Sequence, residues 1–228
     1  MSELETQVEV AGQPRKFGRL VEHDPRSRSY GLVVNPTATL ETVLWTNSAP
    51  VLDQGSLGSC TGHAMAQWEN TTRTREGLSE WLTDDDAVEL YSAATQHDEF
   101  PGEYPPIDTG SSGLAVAKAA QAKGYITGYR HAFGMQQTLL ALQIAPVLIG
   151  TLWLSGMNTP DDKLMLHASG EELGGHEYLL LGCNVEDEYV TVLNSWSSTW
   201  GENGTARISF LDLEALLKQE GDVTVPVV

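Results

Sequence analysis

The sequence predicts an α+β fold of two lobes, a helical first lobe and an antiparallel β-rich second lobe with a cleft between them. Two observations carry this reading. Apolar residues at helical spacing are concentrated between Ser59 and Gln143, whereas β-branched and aromatic runs bounded by turn residues fill the stretch from Pro146 to Phe210. Segregation of helices from strands, rather than their alternation, is the pattern of α+β proteins. The 228 residues suffice for two lobes around a sizeable core, and no separate regulatory domain is expected beside them.

Residues 1–44 are polar, proline-punctuated and weakly periodic, with turn signals at His23-Asp24-Pro25-Arg26 and Asn35-Pro36. They predict an extended arm laid over a core formed by residues 45–228, the helical lobe running to about residue 130 and the β-rich lobe from about 131 to 228. Ala64, Met65 and Trp68 predict a helix beginning at Cys60, with Ser59 as its cap. Asp84-Asp85-Asp86 precedes Ala87-Val88-Glu89-Leu90-Tyr91 and reads as the start of a second helix, its carboxylates at the positive dipole end. Gly110-Ser111-Ser112-Gly113 opens a third helix through Ala122, and Gln136 to Gln143 a short amphipathic fourth. Pro146 to Trp153 then reads as a buried strand, followed by strands from His176 to Cys183, Tyr189 to Asn194 and Thr205 to Phe210. The turn at Asn184-Val185-Glu186-Asp187 makes the first two of these last three a hairpin, which would set His176 near Asn194.

Charge and cysteine usage bound the function. With 13 basic against 31 acidic residues the formal net charge is −18, which repels phosphate backbones and anionic lipid surfaces, so neither nucleic acid nor membrane is expected as a partner. The same charge serves solubility and mildly favours basic substrates. The two cysteines, Cys60 and Cys183, supply no disulfide framework, and Cys183 falls in the apolar run Tyr178 to Cys183 as a buried strand thiol. The N-terminus lacks a signal-peptide pattern and no stretch approaches the roughly 18 apolar residues of a membrane span, so synthesis and folding in a cytoplasm are expected. His23, His97, His131 and His167 show no ligand spacing and Asp84-Asp85-Asp86 lacks that of a calcium loop; no metal and no cofactor is expected.

The residues that carry chemistry lie in three blocks. Cys60 follows Gln54-Gly55-Ser56-Leu57-Gly58-Ser59, His176 follows Gly174-Gly175, and Asn194-Ser195-Trp196 precedes Trp200-Gly201-Glu202-Asn203-Gly204. A thiol at a helix N-terminus faces unpaired amides and a positive dipole end, and an imidazole beside it would complete a thiolate–imidazolium pair charged near neutral pH. Asn194 can orient the imidazole, Trp196 can roof that hydrogen bond, and Gln54 with the Cys60 N–H can donate to a developing oxyanion. His63, one turn past Cys60, reads as structural or solvent-facing.

On these blocks the chain resembles the papain-like cysteine peptidases, specifically a short bacterial or phage type without a propeptide, over about residues 45 to 210. The resemblance implies Cys60 as nucleophile, His176 as general base and acid, Asn194 as orienting amide, Gln54 as oxyanion donor, and a papain-like two-lobed fold. It further implies substrate contacts by Gly58, Gly110, Ser111, Ser112, Gly175 and Trp196. Met65, Leu114, Trp153 and Leu173 are candidate apolar wall residues. The chain departs from the family at Leu57, where a cysteine is usual, at Thr61, where an aromatic is, and at Glu177, where a small apolar residue is. Glu177 either raises the imidazole pKa or points to the opposite face of its strand. Residues 1–44 are too few and too weakly periodic to form the family's helical inhibitory propeptide, and the arm either packs outside the cleft or occludes it.

Three functions follow. The first is hydrolysis of peptide bonds in a protein or peptide substrate through a thioester acyl-enzyme. The second is a papain-fold structural or binding component whose partners are those of an assembly such as a phage particle, localising the chain to a virion, with the site idle. The third is acyl transfer or deamidation by the same thiol.

Overall fold

The structure, a computed structural model, describes residues 7–22, 24–35 and 37–228. Met1 to Thr6, His23 and Pro36 therefore lie outside the described residues, and with them part of both arm turn signals and the start of the N-terminal stretch.

The arm is less featureless than its composition implies. Strands β1 (Gln7–Val10) and β2 (Gln13–Lys16) pair as an antiparallel hairpin whose turn holds Ala11 and Gly12 at positive φ. A 3-10 turn over Pro25–Tyr30 follows, capped by the Asp24 carboxylate on the Arg26 N–H, and β3 (Val43–Leu44) delivers the chain to the main sheet.

The helical lobe contains α1 (Cys60–Arg75), α2 (Asp84–Ala94) and α3 (Gly113–Lys123). The acidic start of α2 stands as expected, with the cap one residue earlier. Thr83 and Asp86 form a reciprocal capping box. Most of α1 is buried, so its sequence shows little amphipathicity; some of its polar side chains are satisfied inside, as where Asn70 bonds both backbone groups of Leu82 at 2.8 and 2.9 Å, while Thr61, His63, Gln67 and Thr72 each keep a buried polar atom without a hydrogen-bond partner among the described residues. Trp68 ties α1 to the other lobe through an Nε1–H donated to Pro146 O at 3.0 Å.

The second lobe is an eight-stranded sheet. Its strands are β3 with β4 (Gly128–His131), β5 (Val147–Leu154), β6 (Met165–Leu166), β7 (Glu172–Asn184), β8 (Tyr189–Leu193), β9 (Thr205–Ser209) and β10 (Asp222–Val227). The order is β4-β10-β5-β7-β8-β9-β6, with β3 also on β7, and every pair is antiparallel except β6 with β9. Helices α4 (Gly134–Leu142) and α5 (Phe210–Lys218) cover one face. The strand expected to end at Phe210 stops at Ser209, whose hydroxyl caps α5, a helix the sequence reading missed along with β10.

Two cores sandwich β5 and β7. Leu148, Leu179 and Leu181 pack with Met65, Trp68, Leu90 and Val116 of the helical lobe. Ile149, Tyr178 and Leu180 pack with Trp153, Trp196, Leu213 and Val223 on the other side. Alternation along β7 thus assigns consecutive residues to opposite cores, and that assignment positions the site.

Candidate active site

His176 and Asn194 meet because of the register of β7 on β8. Leu179 pairs with Leu193, the last residue of β8, so Asn194 leaves the sheet level with Tyr178, two residues from His176, and its Oδ1 lies 2.8 Å from His176 Nε2. The Ser195 N–H also donates to Asn194 Oδ1 at 2.8 Å, which fixes the carboxamide. Trp196 and Trp153 enclose the ring at centroid distances of 5.2 and 4.9 Å, and His176, Asn194 and both tryptophans are buried.

Cys60 is the first residue of α1 and is fully buried. The backbone N–H groups of Glu177, Gly18 and Thr61 are close enough to its sulfur to favour the thiolate. The Glu177 contact sets the sulfur against β7 beside His176. Ser59 precedes the helix, but its hydroxyl does not cap it; Oγ lies 3.1 Å from His63 Nδ1, so the expected cap is replaced by a link within the first turn. His63 is structural and buried, not solvent-facing, with Nε2 3.6 Å from Asp84 Oδ1.

The Gly18 contact comes from the arm. Residues 15–20 run through the cleft in extended form: Ser111 N–H donates to Gly18 O at 2.8 Å, Leu20 N–H to Ser111 O at 2.8 Å and Arg19 N–H to Gly175 O at 2.9 Å. Gln54 Nε2 donates to Lys16 O at 3.0 Å and to Leu57 O at 2.9 Å, while its Oε1 accepts from Ser195 Oγ at 2.8 Å. Phe17 packs edge-on to His176 at 5.6 Å. Arg15 pairs with Asp53, and Lys16 Nζ lies 2.7 Å from Asp108 Oδ2. Of the two placements left open by the sequence, the described arm takes the cleft.

Gly58, Gly110, Ser111, Gly175 and Trp196 all line this run. A Cβ at Gly110 would overlap Gly18 O and one at Gly175 would overlap Arg19 O, so two of the glycines are there because a peptide backbone passes over them. The Arg15 guanidinium lies over the Trp196 ring and donates to its carbonyl at 3.3 Å. Ser112 does not touch the arm's backbone; it caps α3 and donates to the Glu22 carboxylate. Among the candidate wall residues, Met65 and Trp153 are core, Leu114 is buried at the start of α3, and Leu173 borders an open cavity of about 560 Å³ beside Phe17 and Arg19.

With the arm in place the electrostatics oppose the expected ion pair. Burial pushes the Cys60 thiol up to about 12, with the three N–H donors opposing it only in part. Burial pushes His176 down to about 4, although the Asn194 hydrogen bond works the other way. With the arm over both groups and water excluded, burial opposes the thiolate–imidazolium pair expected from the sequence.

No protein-family model matches the sequence. The chain is 47% identical over 45 residues to cathepsin B-like cysteine proteinase 4 of Caenorhabditis elegans and 42% identical over 50 residues to cathepsin B-like cysteine proteinase 6 of the same organism. These stretches cover 19% and 21% of the chain and only 13% of either relative. Among solved structures, xylellain, a cysteine protease from Xylella fastidiosa, superposes with a TM-score of 0.77 over 99% of this chain and 98% of that one, at 16% identity. The chain has a papain-like fold. Procathepsin L 3 of the Tenebrio molitor larval midgut (TM-score 0.63, 16% identity, 86% and 72% of the two chains) and bromelain from Ananas comosus in complex with E64 (0.61, 14%, 82% and 98%) share it.

Within the papain-like fold, Glu177 resolves one question left by the sequence. It points away from the imidazole, to the opposite face of β7, where it meets Gly113, Gly150, Arg19 and Asp222. Arg19, Asp222, Asp108 and Ser195 were missed as site residues. A signal for the arm existed: Arg15, Lys16 and Arg19 put three of the chain's 13 basic residues within five positions of a strongly acidic protein. Among the described residues no cluster of side chains could hold a metal ion, and no helix is long and apolar enough to cross a membrane.

Proposed function

We propose that the chain is a cysteine peptidase that hydrolyses peptide bonds through Cys60, and that its own arm masks the cleft. The observation that carries the reading is that the cleft already grips a peptide main chain, residues 16–20, between Gln54, Ser111 and Gly175 and against the Cys60 sulfur.

Catalysis requires the arm to leave. Water entering the cleft then lowers the cost of charge, and the helix N-terminus and Thr61 and Glu177 N–H groups favour a Cys60 thiolate with His176 protonated. The sulfur adds to a substrate carbonyl carbon, and the oxyanion takes hydrogen bonds from Gln54 Nε2 and the Cys60 N–H. His176 passes its proton to the departing nitrogen as the C–N bond breaks, leaving a thioester at Cys60. Water, deprotonated by His176, displaces the sulfur and releases the acid. Asn194 holds the imidazole throughout, and Ser195 holds Gln54.

The arm's direction supports the reading of it as a mask rather than a substrate. Arg19 bridges Ser111 in a parallel sense, and the backbone N–H of Gly18 is turned toward the sulfur.

Incubation of the full chain, of Arg19→Ala and of Cys60→Ala with an E-64-type epoxide, with mass mapping of the adduct and assay on a mixed peptide library, tests the reading. Adduct at Cys60 and library cleavage, both stronger in Arg19→Ala and absent from Cys60→Ala, are the expected result. Adduct without cleavage of any peptide would favour the assembly component, and cleavage by Cys60→Ala would remove the assignment.

A further inference from the structure

Arg19 is a buried cation on a segment that occupies a peptide cleft. The residue is 3% exposed, and its guanidinium lies in a recess with Asp222 and Glu177. Nε is 3.1 Å from Asp222 Oδ1, Nη2 bonds the same oxygen, and Nη2 donates to Glu220 O at 2.6 Å. Two glycines shape the walls. A Cβ on Gly150 would stand 2.5 Å from both Arg19 Nε and Glu177 Oε2, and one on Gly113 would stand 2.8 Å from Glu177 Oε1 and 2.9 Å from Asp222 Oδ2. The recess therefore exists because residues 113 and 150 have no side chain.

Its floor is unusual. Glu177 is fully buried, and neither of its carboxylate oxygens has a hydrogen-bond partner among the described residues. A buried carboxylate without hydrogen bonds is destabilising, and a fold that needed only to be filled here would place an apolar residue. A carboxylate next to a second one, Asp222, makes sense if a cation is repeatedly received there. Burial and the nearby Asp222 both raise the Glu177 pKa and Arg19 opposes them, as expected of a site that gains from a bound positive charge.

We propose that this recess is the substrate pocket that selects an arginine side chain, and that Arg19 occupies it as the arm's mimic of that residue. The inference rests on the peptidase reading above. Gly18 faces the sulfur and Arg19 is its neighbour, so the selected residue is the one next to that bearing the scissile carbonyl. The guanidinium matches the site better than an ammonium does, because Nε and Nη2 both donate, to Asp222 and to Glu220 O, in a planar fork.

The test uses the full chain with the arm loosened by Arg19→Ala, or by Phe17→Ala as a second such variant. Three fluorogenic peptides, X-Lys-aminomethylcoumarin with X as arginine, citrulline or leucine, are compared by kcat/KM, and the comparison is repeated after adding Asp222→Asn. Arginine should exceed uncharged citrulline and leucine by at least about tenfold, and Asp222→Asn should lower the arginine-to-leucine ratio roughly tenfold. Leucine equal to or better than arginine, or citrulline equal to arginine, overturns the pocket; the citrulline comparison needs no change to the pocket wall and so survives a misfolded Asp222 variant. Cleavage of none of the three by a protein whose Cys60 takes the epoxide also overturns the pocket alone. Neither cleavage nor epoxide adduct overturns the peptidase reading and the pocket together.

Discussion

The carboxamide oxygen of Asn194 lies 2.8 Å from Nε2 of His176, and the other ring nitrogen, Nδ1, has no hydrogen-bond partner among the described residues. A donor–acceptor pair on one side of the ring leaves the other side to exchange protons. Asn194→Ala in the Arg19→Ala background should therefore lower kcat by roughly ten- to a hundredfold with little change in KM, as expected of a group that positions the base rather than the substrate. Steady-state kinetics on one library-derived peptide would check it.

Cys60 in the intact chain should resist alkylation. The thiolate is the reactive form, and with the thiol pushed up to about 12 only on the order of 10⁻⁵ of it is ionised near pH 7. Iodoacetamide rates from pH 5 to 10 should keep rising to the end of the range in the intact chain. In the Arg19→Ala chain the inflection should move to lower pH; coincident profiles would mean that the arm does not control the thiol.

A Cβ at position 18 would overlap the carbonyl of Gly58, so Gly18→Ala should expel the arm without touching the catalytic groups. Epoxide labelling of Cys60 should accelerate at least about tenfold while the main unfolding transition of the two lobes persists. Unchanged labelling would show that the arm accommodates the methyl group.

Gly62→Ala places a similar clash elsewhere. Its Cβ would overlap Ala87 O and stand 2.7 Å from Tyr91 N, where α1 meets α2, so the substitution should cost about 1–3 kcal/mol and lower Tm by several degrees. Differential scanning calorimetry separates this loss of fold from the loss of masking at Gly18.

His176 should make the masked form acid-sensitive. Its folded value near 4 lies below the ordinary 6.5, so between those values the unfolded chain binds a proton that the folded chain refuses, and stability falls as pH falls through that window. The limit is roughly 3 kcal/mol. Urea midpoints at pH 7 and pH 4.5 should differ less in His176→Gln than in the parent chain.

Much of the site was legible because its parts are local. A cysteine opening a helix, a histidine after two glycines and an asparagine before Ser195-Trp196 are each short signals, and the turn at residues 184–187 was enough to bring two of them together. The α1 start and the β5, β7 and β8 strands were read within a few residues for the same reason. By contrast, β10 and α5 were missed: Asp222–Val227 contains a proline and has to be recognised through its partners β4 and β5, and Phe210 reads as the end of a strand until Ser209 is seen to cap a helix. Asp222 was missed with its strand.

The sequence by itself determined which groups are available: one thiol at a helix start, an imidazole, two amides, and the hydrophobic pattern that forces a helical lobe against a sheet. Only the tertiary structure decided their state. Ionisation depends on what surrounds a group, not on its neighbours in the chain, and residues 15–20, some forty positions before Cys60, bury the thiol and the imidazole by packing over them. The same distance effect placed Arg19 between Glu177 and Asp222, three residues spread from one end of the chain to the other whose charges have meaning only when folding has removed the water between them.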